Sequence, residues 1–499
     1  MNKSPCNLVK NVRRLRKIAR VMVVTAATTS ILSSAYAIDA VWDNDAGSGD
    51  RSWFTPSNWS GNVVPTQAGA YDAIINGFSS LANPVLVSSV TDATFRQLRI
   101  GDTLGSAGFL RLETNFLNTS TSAHTIGVSG TGSVVQVSGS TVFARQVTLG
   151  STSTGVGTWQ ISGGTYAQTA GAGNGVLTIG DAGTGAFEMS GSGSVTAVGN
   201  VSLGSQAGSN GTLNLSGSGT FSHSSNSTMT VGGAGSGNLN IAGNTISNPG
   251  TNGALVVRSN SAGSGTVGGY GTISAGGDLT MNGMMIADGG GTGDQALNLS
   301  AINGTANNGI IFNTIENTTT NGWYAQDQGM LILPTLSSAA GAGTQNWGES
   351  AFSIDADIDL VNSAQLTYGA SHTAGNLRID LMSGDRTEFA NVPTGALPVV
   401  WDLDYSGTTF ALTDFRVRYD AVAAGAGESA LTFYYSSDGS TWLLLTTVVD
   451  TTNNWATTSG VSLGEGYYML AVPEPSSALL MLGAGLFVAV CGRSRRRRI

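Results

Sequence analysis

Six aliphatic-Gly pairs recur along the chain: Ile100-Gly101, Ile126-Gly127, Leu149-Gly150, Ile179-Gly180, Leu203-Gly204 and Val231-Gly232. The steps between them are 26, 23, 30, 24 and 28 residues. Each unit holds three short alternating runs. In "GTLNLSG", Leu213 and Leu215 share one face while Thr212 and Asn214 share the other. So short a strand cannot bury its apolar face alone, whereas stacked units cover one another. The pattern therefore predicts a parallel β-solenoid. Its glycines fall where the backbone must turn sharply through positive φ. Seven coils at about 4.8 Å each would extend roughly 30–35 Å.

A solenoid end leaves strand edges unpaired and calls for a cover. Residues 38–97 supply Trp42, Trp53 and Trp59 for a β-rich N-terminal cap, and residues 98–309 are read as the solenoid. After about residue 310 glycine thins and longer alternating runs appear, such as "FALTDFRVRYDAV". In "LTFYYSSDGSTWLLL" two strands flank Asp438-Gly439, a tight-hairpin signal. Residues 310–471 are thus expected as an antiparallel β-sandwich, making the whole fold all-β.

Charge narrows the partners. Residues 38–472 contain 10 Arg, no Lys and 30 Asp/Glu, so 10 − 30 = −20. Such a body repels nucleic acid, whose phosphates need Lys and Arg. Cys6 and Cys491 lie in the terminal segments, so no disulfide and no cysteine zinc site is available to the body.

Both termini read as addresses. A basic stretch ending at Arg20, an apolar run and "AYA" form a signal peptide over 1–37, with Ala35 and Ala37 suited to signal peptidase and cleavage before Ile38. The residues after Arg13-Arg14 fit twin-arginine export poorly, which leaves the general secretion machinery. The tail, 472–499, has Pro473-Glu474-Pro475, a 17-residue apolar run over 476–492 long enough for a transmembrane helix, and then Arg493, Arg495, Arg496, Arg497 and Arg498. Arginines stay cytoplasmic, so the body would stand outside the inner membrane.

This order of Pro-Glu-Pro, apolar helix and basic cluster resembles the PEP-CTERM sorting tail. The resemblance implies recognition by exosortase, cleavage near Pro473–Pro475, and transfer of the body to the cell surface or matrix of bacteria that make exopolysaccharide. The same tail is also labelled an ice-binding protein C-terminal domain, although it carries no ice chemistry itself. "GTLNLSGSGTF" is similar to the autotransporter-associated β-strand repeats of exported solenoids. "YYSSDGSTW" is similar to a hairpin of discoidin-type sandwiches.

Chemistry is sparse. His124, His223 and His372 are read as surface or loop residues without metal-ligand spacing. Asp102 and Asp181 sit three coils apart, about 14 Å, too far for paired glycoside hydrolysis. Asp355, Asp357 and Asp359 alternate in "SIDADIDL" and form a possible calcium site; no other cofactor is implied. Asp43, Asp45 and Asp50 resemble the start of a calcium loop, but Phe54 stands where the closing Glu belongs. Trp442, Tyr434 and Tyr435 are possible glycan contacts. The expected function is a non-enzymatic structural or adhesive surface protein. A carbohydrate-binding protein and a polysaccharide-degrading β-helix enzyme are the alternatives. Ice binding requires continuous Thr ranks, and the unequal repeat steps predict that such ranks are broken.

Overall fold

In the computed structural model the repeats stack in register. The structure describes residues 38–473 apart from 48, 67–70, 78, 89–94, 119–121, 170–174, 225, 249–252, 261–262, 278, 292–294, 303–309, 312–320, 349–359, 408–411 and 460–463. The aliphatic members of the six pairs are lateral neighbours. Ile100 lies beside Ile126, then come Leu149, Ile179, Leu203 and Val231. Each is buried, and the glycine after each has positive φ, between 64° and 75°.

Each coil contributes to three parallel faces, because three short runs alternate between turns. The first face is an eleven-stranded sheet running from Ile38–Val41 to Ile310–Ile311. The second stacks strands such as Thr131–Gln136, Val156–Ile161, Thr184–Met189 and Asn210–Ser216. The third stacks Phe116–Asn118, Ser140–Phe143, Thr165–Gln168 and Ser194–Val198. Inward residues such as Leu203, Leu213, Leu215 and Phe221 are buried, each worth about 1.5–3 kcal/mol against exposure.

The expected cap is part of this ladder. Ile38–Val41 pairs with Tyr71–Ile75, which pairs with Gln97–Ile100. Trp42, Trp53 and Trp59 are buried at this end, with edge-on contacts at 5.2 Å (Trp42–Trp59) and 4.7 Å (Trp53–Trp59). The aromatic packing continues inward through Phe95, Phe116, Phe143 and Trp159 to Phe187.

Two expectations are corrected by this register. Hydroxyl ranks are continuous over several coils: Thr220, Thr245 and Thr272 are neighbours, as are Ser222, Ser247 and Ser274. Differences in step length are absorbed mostly between strands, with register shifts inside them only between Val195 and Val198 and between Ala242 and Asn244 among the parallel pairings described. The histidines are also not surface residues. His124 and His223 occupy inward strand positions, while His372 lies in a loop as expected but is buried there. The Leu98 N–H donates to His124 Nδ1 at 3.1 Å, and His223 Nδ1 lies 3.1 Å from the Gly199 carbonyl.

The parallel ladder runs past residue 309. Gly322–Gln326 pairs with Met284–Asp288, and Met330–Ile332 pairs with Ala296–Asn298. The other edge of Met330–Ile332 pairs antiparallel with Gly375–Ser383. From there one antiparallel sheet proceeds through Ala396–Ser406, Gly466–Ala471 and Thr432–Ser436 to Leu443–Leu444. A second antiparallel sheet comprises Gly343–Trp347, Ala364–Tyr368, Leu412–Arg418, Trp455–Ser459 and Thr447–Asp450. The two meet where Phe415 packs on Phe433 (5.6 Å) and Tyr468 (4.9 Å). The region expected as an antiparallel sandwich thus holds two antiparallel sheets, one of them hydrogen-bonded to the solenoid. Among the described residues no helix is long and apolar enough to cross a membrane. The expected signal segment 1–37 and spanning run 476–492 lie outside them.

Candidate functional site

The strand Gly466–Ala471 is central in its sheet, so its end is fixed from both sides. Ala471 faces Ala396 on one neighbour and Thr432 on the other. The Val472 N–H then donates to the Gly395 carbonyl at 2.9 Å. Pro473, exposed, is the last described residue. It lines an open cleft of about 640 Å³ together with Asn391, Pro393, Thr394, Tyr434, Ser440, Thr441 and Trp442.

The hairpin after Thr432–Ser436 positions the tryptophan. Asp438 accepts from the N–H groups of Ser440 and Thr441, both at 2.8 Å, and from Ser436 Oγ at 2.9 Å. Those backbone donors hold its carboxyl well below the usual range. Gly439 takes φ 72°, as the tight turn requires. Trp442 leaves this turn with its Nε1–H donating to the Ala390 carbonyl at 3.0 Å, its ring against Phe389 at 6.1 Å. Beneath lies a small core of Met382, Val400 and Met469. The result is a half-exposed indole held in one orientation.

Strand alternation separates the three expected aromatics. Tyr434 and Trp442 share the cleft. Tyr435 turns the other way, packing on Tyr468 at 5.0 Å while its hydroxyl donates to the Glu465 carbonyl at 2.8 Å.

The same sheet carries an acidic group that the sequence reading missed. Asp380 and Asp402 are cross-strand neighbours, with Asp404 opposite Arg378. The Asp380 side chain is 1% exposed and lies 3.0 Å from Arg378 Nε, in ion-pair contact without hydrogen-bond alignment. The Leu333 N–H donates to it at 3.2 Å, and Arg378 also reaches Asp404 at 3.1 Å. Burial pushes the Asp380 carboxyl up to about 7. Burial, then the Asp404 charge, pushes Asp402 up to about 6. "NLRIDLMS" and "WDLDYS" held the signal: acids at alternate positions of two strands, able to meet once those strands pair.

Other acids are committed elsewhere. Asp102 bonds Arg99 at 2.9 Å, and Asp181 accepts from Gln206 at 3.1 Å. Asp50 accepts from the Ser52 N–H and the Thr55 hydroxyl, which lower its pKa. Among the described residues no group of three or more His, Cys, Asp or Glu could hold a metal ion. Asp355, Asp357 and Asp359 lie outside them, as do Ala35, Ala37, Glu474, Pro475, Arg493 and Arg495–Arg498. Ile38 opens the first strand.

Fold and site together define an all-β protein: a parallel solenoid continued by antiparallel sheets, ending in an exposed Pro-containing exit. A family model described as the PEP-CTERM protein-sorting motif matches residues 471–497, starting at the last residue of the central strand. The tail marks the chain as an exported, membrane-processed protein sorted by exosortase. No curated protein and no solved structure matches the chain.

Proposed function

We propose that the mature body is a non-enzymatic structural or adhesive protein of the cell surface, delivered into an exopolysaccharide-rich matrix. One observation carries this reading. The sorting motif begins where a fully paired central strand ends, so the tail can be removed without disturbing the body. The lysine-free acidic composition and the continuous interior of the solenoid fit a durable exported spacer. In this reading signal peptidase exposes Ile38, the 476–492 run stops in the inner membrane, and exosortase acts beside Pro473.

The test is expression of the full chain with and without exosortase, followed by fractionation. Replacing Pro473, Glu474 and Pro475 with Ala should leave the body in the membrane fraction, whereas the unaltered chain should reach the surface or matrix. Delivery of both forms alike would refute it.

A second reading has its own observation: Trp442 and Tyr434 share an open cleft with hydroxyl and amide groups, a platform on which a sugar ring could stack. Glycan-array binding by the body, lost on Trp442→Ala with the fold retained, would establish it. An array blank for both forms would remove it.

A further inference from the structure

Large apolar side chains exposed among the described residues gather at the two ends of the molecule. Among the described residues the shaft between carries only Leu104, in its first coil, and Val156. At the tail end they are Leu443 (57% exposed), Leu444 (67%), Val448 (66%) and Val422 (90%). Leu443 and Leu444 form the edge strand beside Tyr435 and Tyr434, and Tyr434 shares its cleft with Pro473. Val448 belongs to the edge strand Thr447–Asp450 of the second sheet, tied to the first by the Phe433 N–H donating to Thr447 Oγ1 at 2.8 Å. That strand packs on the turn Gly425–Ala430, where Val472 fills the space a side chain at Gly427 would need. Two short apolar edge strands therefore flank the point where the chain leaves the body. Such edges invite association if left in water.

Tether length says what meets them. Among the described residues Val472 is the last whose backbone is hydrogen-bonded to the body, and the apolar run begins at residue 476. Four residues reach at most about 14 Å. A headgroup layer is roughly 5–7 Å thick on each side of the hydrocarbon. With the run in the bilayer, the surface around Pro473 stands no more than about 7–9 Å beyond the headgroups, close enough to rest on them. Trp and Tyr favour that layer, and Trp442 and Tyr434 stand beside Pro473. The body has no lysine, and Arg416 and Arg418 are turned onto the Trp455 ring at 4.3 and 5.2 Å. Attraction to anionic lipid is therefore weak, and apolar contact must dominate.

We propose that Leu443, Leu444, Val448 and Trp442 form a membrane-interface contact that seats the body on the bilayer before processing and frees it afterwards. This rests on the reading of 476–492 as membrane-inserted.

The test uses the full chain without its signal segment, with Cys491→Ser, in phosphatidylcholine vesicles. A polarity-sensitive dye is attached through Leu444→Cys, with Val448→Cys as a second position and Thr212→Cys on the solenoid as control. The dyes at 444 and 448 should shift to the blue and be quenched by lipid-borne nitroxide, equally in low and high salt. The dye at 212 should not respond. Dyes at 444 and 448 that stay in water, while the tail resists alkaline extraction, overturn the contact and leave the tail reading standing. A tail that extracts freely overturns both. Shielding that appears only when exosortase is present makes the enzyme the occupant and overturns the lipid contact.

Discussion

Asp380 holds a carboxyl in a nearly dry site beside a second carboxyl, and Arg378 neutralises it only in part. Its pKa rises from the ordinary value to about 7 in the folded protein. The folded state then binds the proton more tightly than the unfolded chain. This stability is fully present below pH 4 and is lost as pH rises toward 7, by up to about 1.4 kcal/mol per pH unit. Buried His124 behaves oppositely. Burial lowers it to about 3, so its contribution is intact above about 6.5 and is lost as pH falls. Hydrogen-exchange protection factors should therefore move in opposite directions between pH 4 and 7. The strands Gly375–Ser383 and Ala396–Ser406 should weaken as pH rises, and the coil around His124 should strengthen. Asp380→Asn should reduce the first response to the part that Asp402 contributes and leave the second. The alternating acids of "NLRIDLMS" and "WDLDYS" were visible in the sequence, but the burial that shifts Asp380 and His124 was not, because it depends on which strand comes to lie beside them. His124 sits between Phe95 and Phe143, 29 and 19 residues away in sequence.

At the scale of the coil, sequence and structure agree most closely where glycine sits. At five of the corners that follow first-face strands the turn is so tight that two glycines face each other across it, as Gly204 and Gly211 do. A side chain at Gly211 would collide with the Ile179 carbonyl and the Gly204 amide. Gly211→Ala should cost on the order of 3 kcal/mol or more, while Thr212→Ala on the outward face should stay within about 0.5 kcal/mol. Thermal or denaturant unfolding of the two variants checks this. The alternation of Leu213 and Leu215 and the aliphatic-Gly pairs made these coils legible, since period and turn chemistry are local properties. The junction was not legible. Nothing near residue 330 states that Met330–Ile332 pairs parallel with one neighbour and antiparallel with the next. That choice is made by partners up to about 50 residues away. The cleft was half legible: Trp442 and Tyr434 meet, but alternation along Thr432–Ser436 sends Tyr435 to the opposite face.

For the molecule as a whole, the final strand limits where processing can act. Gly466–Ala471 bonds to a neighbour on each side, and Val472 fills the space beside Gly427. A protease needs an extended, accessible segment. One that cut before residue 472 would have to pull a central strand out of its sheet, exposing Met469, Leu470 and Tyr468, all buried. That opening breaks many hydrogen bonds at once, whereas Pro473 already stands free. The mature body should accordingly begin at Ile38 and end at residue 473 or later, as the intact mass of the released product would show. Removing residues 466–499 altogether should give an aggregating chain, since Thr432–Ser436 and Ala396–Ser406 would lose the strand between them. A soluble, folded product ending before Ala471 would mean that this sheet does not depend on its central strand, and the reading of the tail as separable from the body would lose its structural basis.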